Sequence, residues 1–214
     1  MATTIYLVRH GQSLGNLEDR FLGHTDWDLT ELGYKQAECT ASFFDNIHLD
    51  RFYASDLKRA FNTAKATADK KGLSVIPEKN FREIRAGKWE MMRFEDIPKM
   101  YPDLWRDWQN ANTDTLRAPA GESMQELFER AYGALLKIAE KHDGQAVLIG
   151  LHATPIRLIL NHIEGKKLRE LYKTPWASNA SVTCLKFENS QFSVEFFDEG
   201  RHLGTLKTAL PKGV

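Results

Sequence analysis

Cysteine is scarce, charge is balanced and long apolar runs are missing, and each absence removes a class of function. The two cysteines among 214 residues, Cys39 and Cys184, form no C-x-x-C pair. No zinc site or redox motif is therefore visible, and two reduced, mostly buried thiols are expected. Lysine plus arginine and aspartate plus glutamate number 29 each. Such a chain has no general attraction to nucleic acid or to an anionic membrane, so neither is expected as a partner. No stretch approaches the roughly 18 apolar residues of a membrane span. Met1–Thr4 runs straight into a strand-like segment without the basic and long apolar stretches of a secretory signal, so a cytoplasmic location is expected. His24, His48, His142, His162 and His202 show no metal-ligand spacing, and neither metal nor cofactor is expected. No internal repeat or low-complexity segment occurs.

What is present suits one domain spanning residues 1–214, with an irregular, lid-like insert at about 85–120. Ile5–Val8, Arg51–Ala54, Leu73–Ile76 and Ala146–Ile149 read as strands. Helices are predicted from Thr30, as N-cap, to about Phe44, from about Leu57 to Lys70, and after the Ser123/Glu126 capping box, with another opened by Pro155. The stretch from Gly11 to about Asp28 reads as a loop. Ser181–Phe187 and Phe192–Phe197 read as two strands joined at Asn189-Ser190. Pro98, Pro102 and Pro119 break the segment between Arg85 and Ala120 into short pieces. Strands alternating with helices predict an α/β fold, a mostly parallel sheet flanked by helices on both faces. Ligands of such sheets bind at the carboxyl ends of the strands, where His10 and His152 both fall.

The segment Leu7–Asn16, L-V-R-H-G-Q-S-L-G-N, ends a strand in an arginine, a histidine and a glycine. Arg9 offers a forked donor pair to a phosphate. A neutral His10 offers a nucleophilic nitrogen. Gly11 permits close approach of backbone N–H groups to an anion, and Asn16 adds a neutral donor. Alone, Arg59 reads as a solvated helix residue, Glu83 as a surface ion pair and His152 as a satisfied buried histidine.

The segment resembles the signature of the histidine phosphatase superfamily, the phosphoglycerate mutase-like family. Further resemblances follow in family order. Phe21–Gly33, with Leu22 and Gly23, is similar to the phosphate-loop segment. Ser55–Ala64 is similar to the second arginine motif and carries Arg59, and Phe81–Glu90 to the acid motif, with Glu83. Gly121–Ser123 and the strand ending in His152 complete the set. The resemblance implies His10 as the nucleophile that becomes phosphohistidine. It implies Arg9, Arg59 and His152, assisted by Asn16, as holders of the phosphoryl oxygens, and Glu83 as proton donor to the leaving oxygen. Asp26, Asp28 and Glu122 are the next candidates for the acid. Backbone N–H groups at Gly11, Leu22, Gly23 and Ala153 are further candidates for phosphate contact.

Two departures from the family pattern bear on the site. Ala153 follows the second histidine where many members have glycine, and Met91 stands where many phosphatases complete W-E-G. The mutase insert with its arginine pair is missing, which favours hydrolysis. The resemblance thus implies a phosphatase acting on small-molecule phosphate monoesters through phosphohistidine, releasing inorganic phosphate. A cofactor-dependent phosphoglycerate mutase and a non-catalytic phosphate-binding module are the alternatives. The segment from Trp89 to Arg117 is expected to set substrate preference. Its Trp89, Trp105, Trp108, Met91, Met92, Phe94, Met100 and Tyr101 suit a bulky or partly apolar alcohol, whereas Arg93, Lys99 and Arg106 could greet a second acidic group.

Overall fold

The computed structural model describes residues 1–110 and 116–209. In chain order the strands and α-helices are β1 (Thr3–Arg9), α1 (Leu14–Leu17), α2 (Glu31–Phe43), β2 (Arg51–Ala54), α3 (Lys58–Lys70), β3 (Val75–Pro77), α4 (Ile97–Met100), α5 (Pro102–Asn110), α6 (Met124–Lys141), β4 (Ala146–Leu151), α7 (Ala153–Ile163), β5 (Val182–Glu188) and β6 (Gln191–Glu199). The six strands form one sheet in the order β3-β2-β4-β1-β5-β6. The first four are parallel, and β5 and β6 add an antiparallel edge.

The central strands are apolar on both faces, as parallel strands covered on both sides must be. Ile5, Leu7, Val147 and Ile149 point into one cluster, with Leu135 and Ile138 of α6 and Ile156 and Ile159 of α7. Val8, Leu148 and Phe52 point the other way, onto Ala64 and Ala68 of α3 and Phe44 beyond α2. The period-2 alternation of a strand thus divides the core between two helical layers. Gly150 shows how close these layers come. A Cβ there would lie 2.8 Å from the Ala60 carbonyl oxygen and 2.8 Å from the Ala64 methyl, so α3 lies directly on β4.

A third cluster stands apart from the sheet, beneath the insert. Trp89 is its centre, fully buried, with its ring centroid 5.2 Å from that of Trp108 and 5.7 Å from that of Trp105. Phe21, Ile84, Ile97, Met124 and Leu158 close around it. The prolines of the insert give the short helical pieces expected of them: Pro98 and Pro102 lie in the first turns of α4 and α5. Residues 111–115 of this segment lie outside the described residues.

Two local expectations are corrected. The loop after Gly11 contains the helical turn α1, stabilised by a reciprocal capping box between Ser13 and Asn16. The helix assigned to Pro155 begins at Ala153, leaving Pro155 in its first turn, where its missing N–H costs nothing. Cys39 and Cys184 are free thiols, half-buried and buried respectively, and burial pushes Cys184 up to about 11. Among the described residues no helix is long and apolar enough to cross a membrane.

Candidate active site

Strand pairing assembles the site. β1 and β4 lie side by side with Arg9 opposite Leu151, so the next residues, His10 and His152, leave the sheet together. Their ring centroids are 5.2 Å apart. β2 flanks β4 on its other side, and Ser55, directly after β2, places its Oγ 2.9 Å from His152 Nε2. Three neighbouring strand ends therefore meet in the interior beside a cleft of about 390 Å³, which Arg9 and His10 line.

One of the two imidazoles has an assignable tautomer. His10 Nδ1 lies 2.7 Å from the Gly11 carbonyl oxygen, which only accepts, so Nδ1 carries the proton and Nε2 keeps its lone pair. Ser55 Oγ accepts from the Leu57 N–H at 3.3 Å and, as a hydroxyl, can still donate to or accept from His152 Nε2. His152 Nδ1 is a buried atom with no hydrogen-bond partner among the described residues. Both rings are pushed well below the usual histidine range, first by burial and then by neighbouring cations, Arg59 foremost. They are neutral at pH 7.

The cations are held from behind. Arg9, 4% exposed, donates Nη1–H to the Ala177 carbonyl and leaves Nε buried without a partner among the described residues. Arg59, 1% exposed in the first turn of α3, donates to the carbonyls of Thr25 at 2.9 Å and Gly23 at 2.8 Å. Burial lowers both guanidiniums to about 10, so both remain charged near neutrality. Glu90 fixes the loop carrying those carbonyls, accepting from the His24 N–H at 3.1 Å and Thr25 Oγ1 at 2.9 Å. Asn16 Oδ1 accepts from Ser13 N and from Asn179 Nδ2, so the Asn16 amide nitrogen is the end left for the cleft.

Glu83 is the one carboxylate among the described residues lining the cleft, against four arginines, Arg9, Arg20, Arg59 and Arg157. Its Oε1 accepts from the Ile84 N–H at 2.8 Å and its Oε2 from the Thr154 N–H at 3.3 Å. Its carbonyl is clamped by Arg130 Nη2 and by His24 Nε2, each at 2.9 Å. The other acid candidates are engaged elsewhere. Asp26 accepts from the Lys58 N–H, Asp28 from Tyr34 and Asn62, and Glu122 pairs with Arg130 and the Arg85 N–H.

The structure brings His10, Arg9, Asn16, Leu22, Gly23, Arg59, Glu83 and Ala153 to this cleft, with His152 packed against His10. Gly11 plays a different part from the one expected. Its N–H donates to Thr63 Oγ1 at 3.0 Å, and its Cα faces Gly33 so closely that a Cβ would lie 2.6 Å from the Gly33 carbonyl oxygen. Glycine is needed there to seat the turn on α2, and its carbonyl sets the His10 tautomer. At the W-E-G departure, Met91 keeps φ at +67°. Its N–H donates to Phe21 and its carbonyl accepts from Arg20. The loop keeps a glycine-like backbone at a cost of roughly 1–2 kcal/mol for a residue with a Cβ.

At the other end of the cleft, Phe94, Trp105 and Trp108 form a wall, as the insert was expected to supply. Trp89, Met92 and Tyr101 pack inside the third cluster instead. Arg93, Lys99 and Arg106 pair with surface acids outside the cleft. Sequence reasoning missed Ser55, Thr63, Glu90 and Asn179, and also Arg20, Arg157, Leu171, Tyr172 and Trp176 of the lining. Ser55 carried a usable signal, because it follows a strand by the rule that selects His10 and His152. Asn179 and Trp176 lie in an irregular stretch before β5 with no periodicity to read.

Comparison with known proteins agrees with this geometry. Residues 5–199 match the histidine phosphatase superfamily (branch 1). The chain is 31% identical to phosphoserine phosphatase 1 of Hydrogenobacter thermophilus, over 98% of this chain and 99% of that protein. It is 34% identical to the probable phosphoglycerate mutase GpmB of Yersinia pestis, over 91% of this chain and 97% of that protein. The solved structure of Bacillus stearothermophilus YhfR superposes with a TM-score of 0.88 at 29% identity, covering 94% of this chain and 99% of that one. Such relatives support a phosphatase role for a site of this kind. The chain is therefore a member of the histidine phosphatase superfamily, branch 1.

Proposed function

We propose that this protein is a phosphatase for small-molecule phosphate monoesters, and that it passes the phosphoryl group through His10 without a metal. The observation that carries the reading is the state of His10: neutral, with Nδ1–H bonded to the Gly11 carbonyl and the Nε2 lone pair free, beside two buried arginines. Nε2 attacks phosphorus as the bond from phosphorus to the alcohol oxygen breaks, and Glu83 gives that oxygen a proton. Water then attacks phosphohistidine, Glu83 takes the water's proton, and phosphate leaves with His10 neutral again. Charge on the three equatorial oxygens is matched by Arg9 and Arg59 and by His152, in the tautomer that carries its proton on the unpartnered Nδ1. Preorganised donors are worth most in such a water-poor site, and here they are buried and already oriented.

The phosphoserine phosphatase relative supports hydrolysis and a small substrate. The probable mutase relative supports a second reading, in which the phosphoryl group returns to the product. A decisive experiment quenches the enzyme within one turnover of a labelled phosphomonoester, in the presence of EDTA. An acid-labile, base-stable label is expected on the wild type. His10→Ala should lose the label and about 10⁴-fold or more in kcat, as loss of a nucleophile does. Retention of substantial turnover by that variant would refute the mechanism. A mutase assay primed with 2,3-bisphosphoglycerate separates the two readings.

A further inference from the structure

The phosphate end accounts for Arg9 and Arg59, and Arg20 is satisfied by Glu18 and the Met91 carbonyl. One cation lining the cleft is left over. Arg157, half-buried one turn into α7, donates Nε–H to the Thr174 carbonyl at 2.6 Å and lies 4.1 Å over the Trp176 ring. Neither partner carries a negative charge, and among the described residues no carboxylate pairs with Arg157. Burial lowers it to about 10. Partial desolvation of a guanidinium without a counter-ion is costly. The Thr174 bond and the Trp176 stack hold its plane fixed, and among the described residues the two terminal nitrogens of the fork make no hydrogen bond.

Position gives this cation a use. Ala153 opens α7 beside His152, and Arg157 follows four residues later, about 6 Å along the helix axis. Helical side chains lean toward the N-terminus, which directs the Arg157 guanidinium back over the cleft. Trp176, Leu171 and Tyr172 line the same cleft. Resting on the phosphatase reading, we propose that Arg157, stacked on Trp176, forms a second anion subsite. It receives a carboxylate or second phosphate on the alcohol portion of the substrate. A planar fork suits either group bidentately. The short span from His152 to Arg157 selects compact substrates whose two anionic groups lie a few bonds apart. Phe94, Trp105 and Trp108, which line the same cleft, then pack against the carbon skeleton.

Paired substrates differing by one anionic group test the subsite. O-phosphoserine is compared with O-phosphoethanolamine for the carboxylate, and propanediol bisphosphate with its monophosphate for the phosphate, with p-nitrophenyl phosphate as reference. Wild type should prefer at least one dianionic partner. Arg157→Gln, which keeps a donor for Thr174, should lower kcat/KM for that partner by about tenfold to a hundredfold, mainly through KM, the size of a lost charge-assisted bond. The reference substrate should change by less than about threefold, and Arg157→Lys should restore part of the preference. Equal losses on all substrates, or no wild-type preference in either pair, would overturn the proposal. Calorimetric binding of the same pairs to His10→Ala, with and without Arg157→Gln, decides the matter independently of turnover. Tighter dianion binding that depends on Arg157 supports the subsite even if the chain hydrolyses nothing. Equal binding within both pairs sinks it.

Discussion

The two ends of the cleft are built differently. At the phosphate end every polar side chain is fixed by bonds to the protein before any ligand arrives. Arg59 is held by two carbonyls, Asn16 by Ser13 and Asn179, His10 by Gly11 and His152 by Ser55. The rest of the lining is rich in rings, Phe94, Trp105 and Trp108 of the insert with Tyr172 and Trp176 from the stretch after α7. Tyr172 is 57% exposed, and the wall rests on short helical pieces instead of strand ends. Transition-state charge is stabilised by dipoles that need no reorganisation, so rigidity belongs where phosphorus reacts. The alcohol portion needs contact area and shape, which loops and aromatic faces supply and can vary without touching the chemistry.

If the ends are separable in this way, substitutions at each should have distinct signatures. The largest effect after loss of His10 is expected at Glu83. Glu83→Gln should slow alkyl phosphates by about 10²–10⁴-fold, the range of a general acid. It should slow p-nitrophenyl phosphate far less, because that leaving group departs without a proton. Equal losses on both esters would remove Glu83 from the acid role. Next comes Arg59→Ala, with a loss on the order of a hundredfold in kcat/KM that is uniform across esters. Arg59→Lys should recover only part, because an ammonium cannot hold the Gly23 and Thr25 carbonyls and the phosphate together. A loss that varied with the alcohol would break the division between the ends.

The same division governs what was legible in the sequence. The strands announced themselves by β-branched apolar runs, and the sheet rule then put His10 and His152 at one edge. Arg59 and Glu83 were found only by resemblance, since an arginine in a first helical turn and a glutamate in R-E-I-R look like surface residues. Nothing local signals that α3 lies flat on β4 and buries Arg59. The role of Gly11 was misjudged because its constraint is Gly33, twenty-two residues away, a close approach that no spacing reveals. Arg157 and Trp176 were missed for a similar reason. They meet only because the irregular stretch after α7 folds back over it, and irregular backbone carries no periodicity. The insert's prolines were informative about helix length. Which of its rings face the cleft depended on the third cluster, where Trp89 takes the centre and leaves Trp105 and Trp108 for the wall.

The smallest effect expected is on stability, and it again belongs to the phosphate end. His10 and His152 titrate well below the usual histidine value in the folded protein, chiefly because burial disfavours the imidazolium and secondly because Arg59 repels it. In the unfolded chain both take up a proton near pH 6.5. Below that pH the unfolded state binds more protons than the folded one, so stability must fall as pH falls. For each histidine the loss at pH 5.5 is about 1.4 kcal/mol relative to pH 7.5, as long as the folded ring stays neutral. His24 and His202 are shifted the same way and add to the slope. Urea unfolding in phosphate-free buffer at pH 7.5, 6.5 and 5.5 should show the midpoint moving down with pH. His10→Gln should flatten the dependence by about one proton. A slope unchanged by that substitution would mean that folded His10 takes up a proton as readily as the unfolded chain does, and so is cationic below about pH 6.5. A protonated Nε2 has no lone pair, and the nucleophile assigned to the phosphate end would be lost with it.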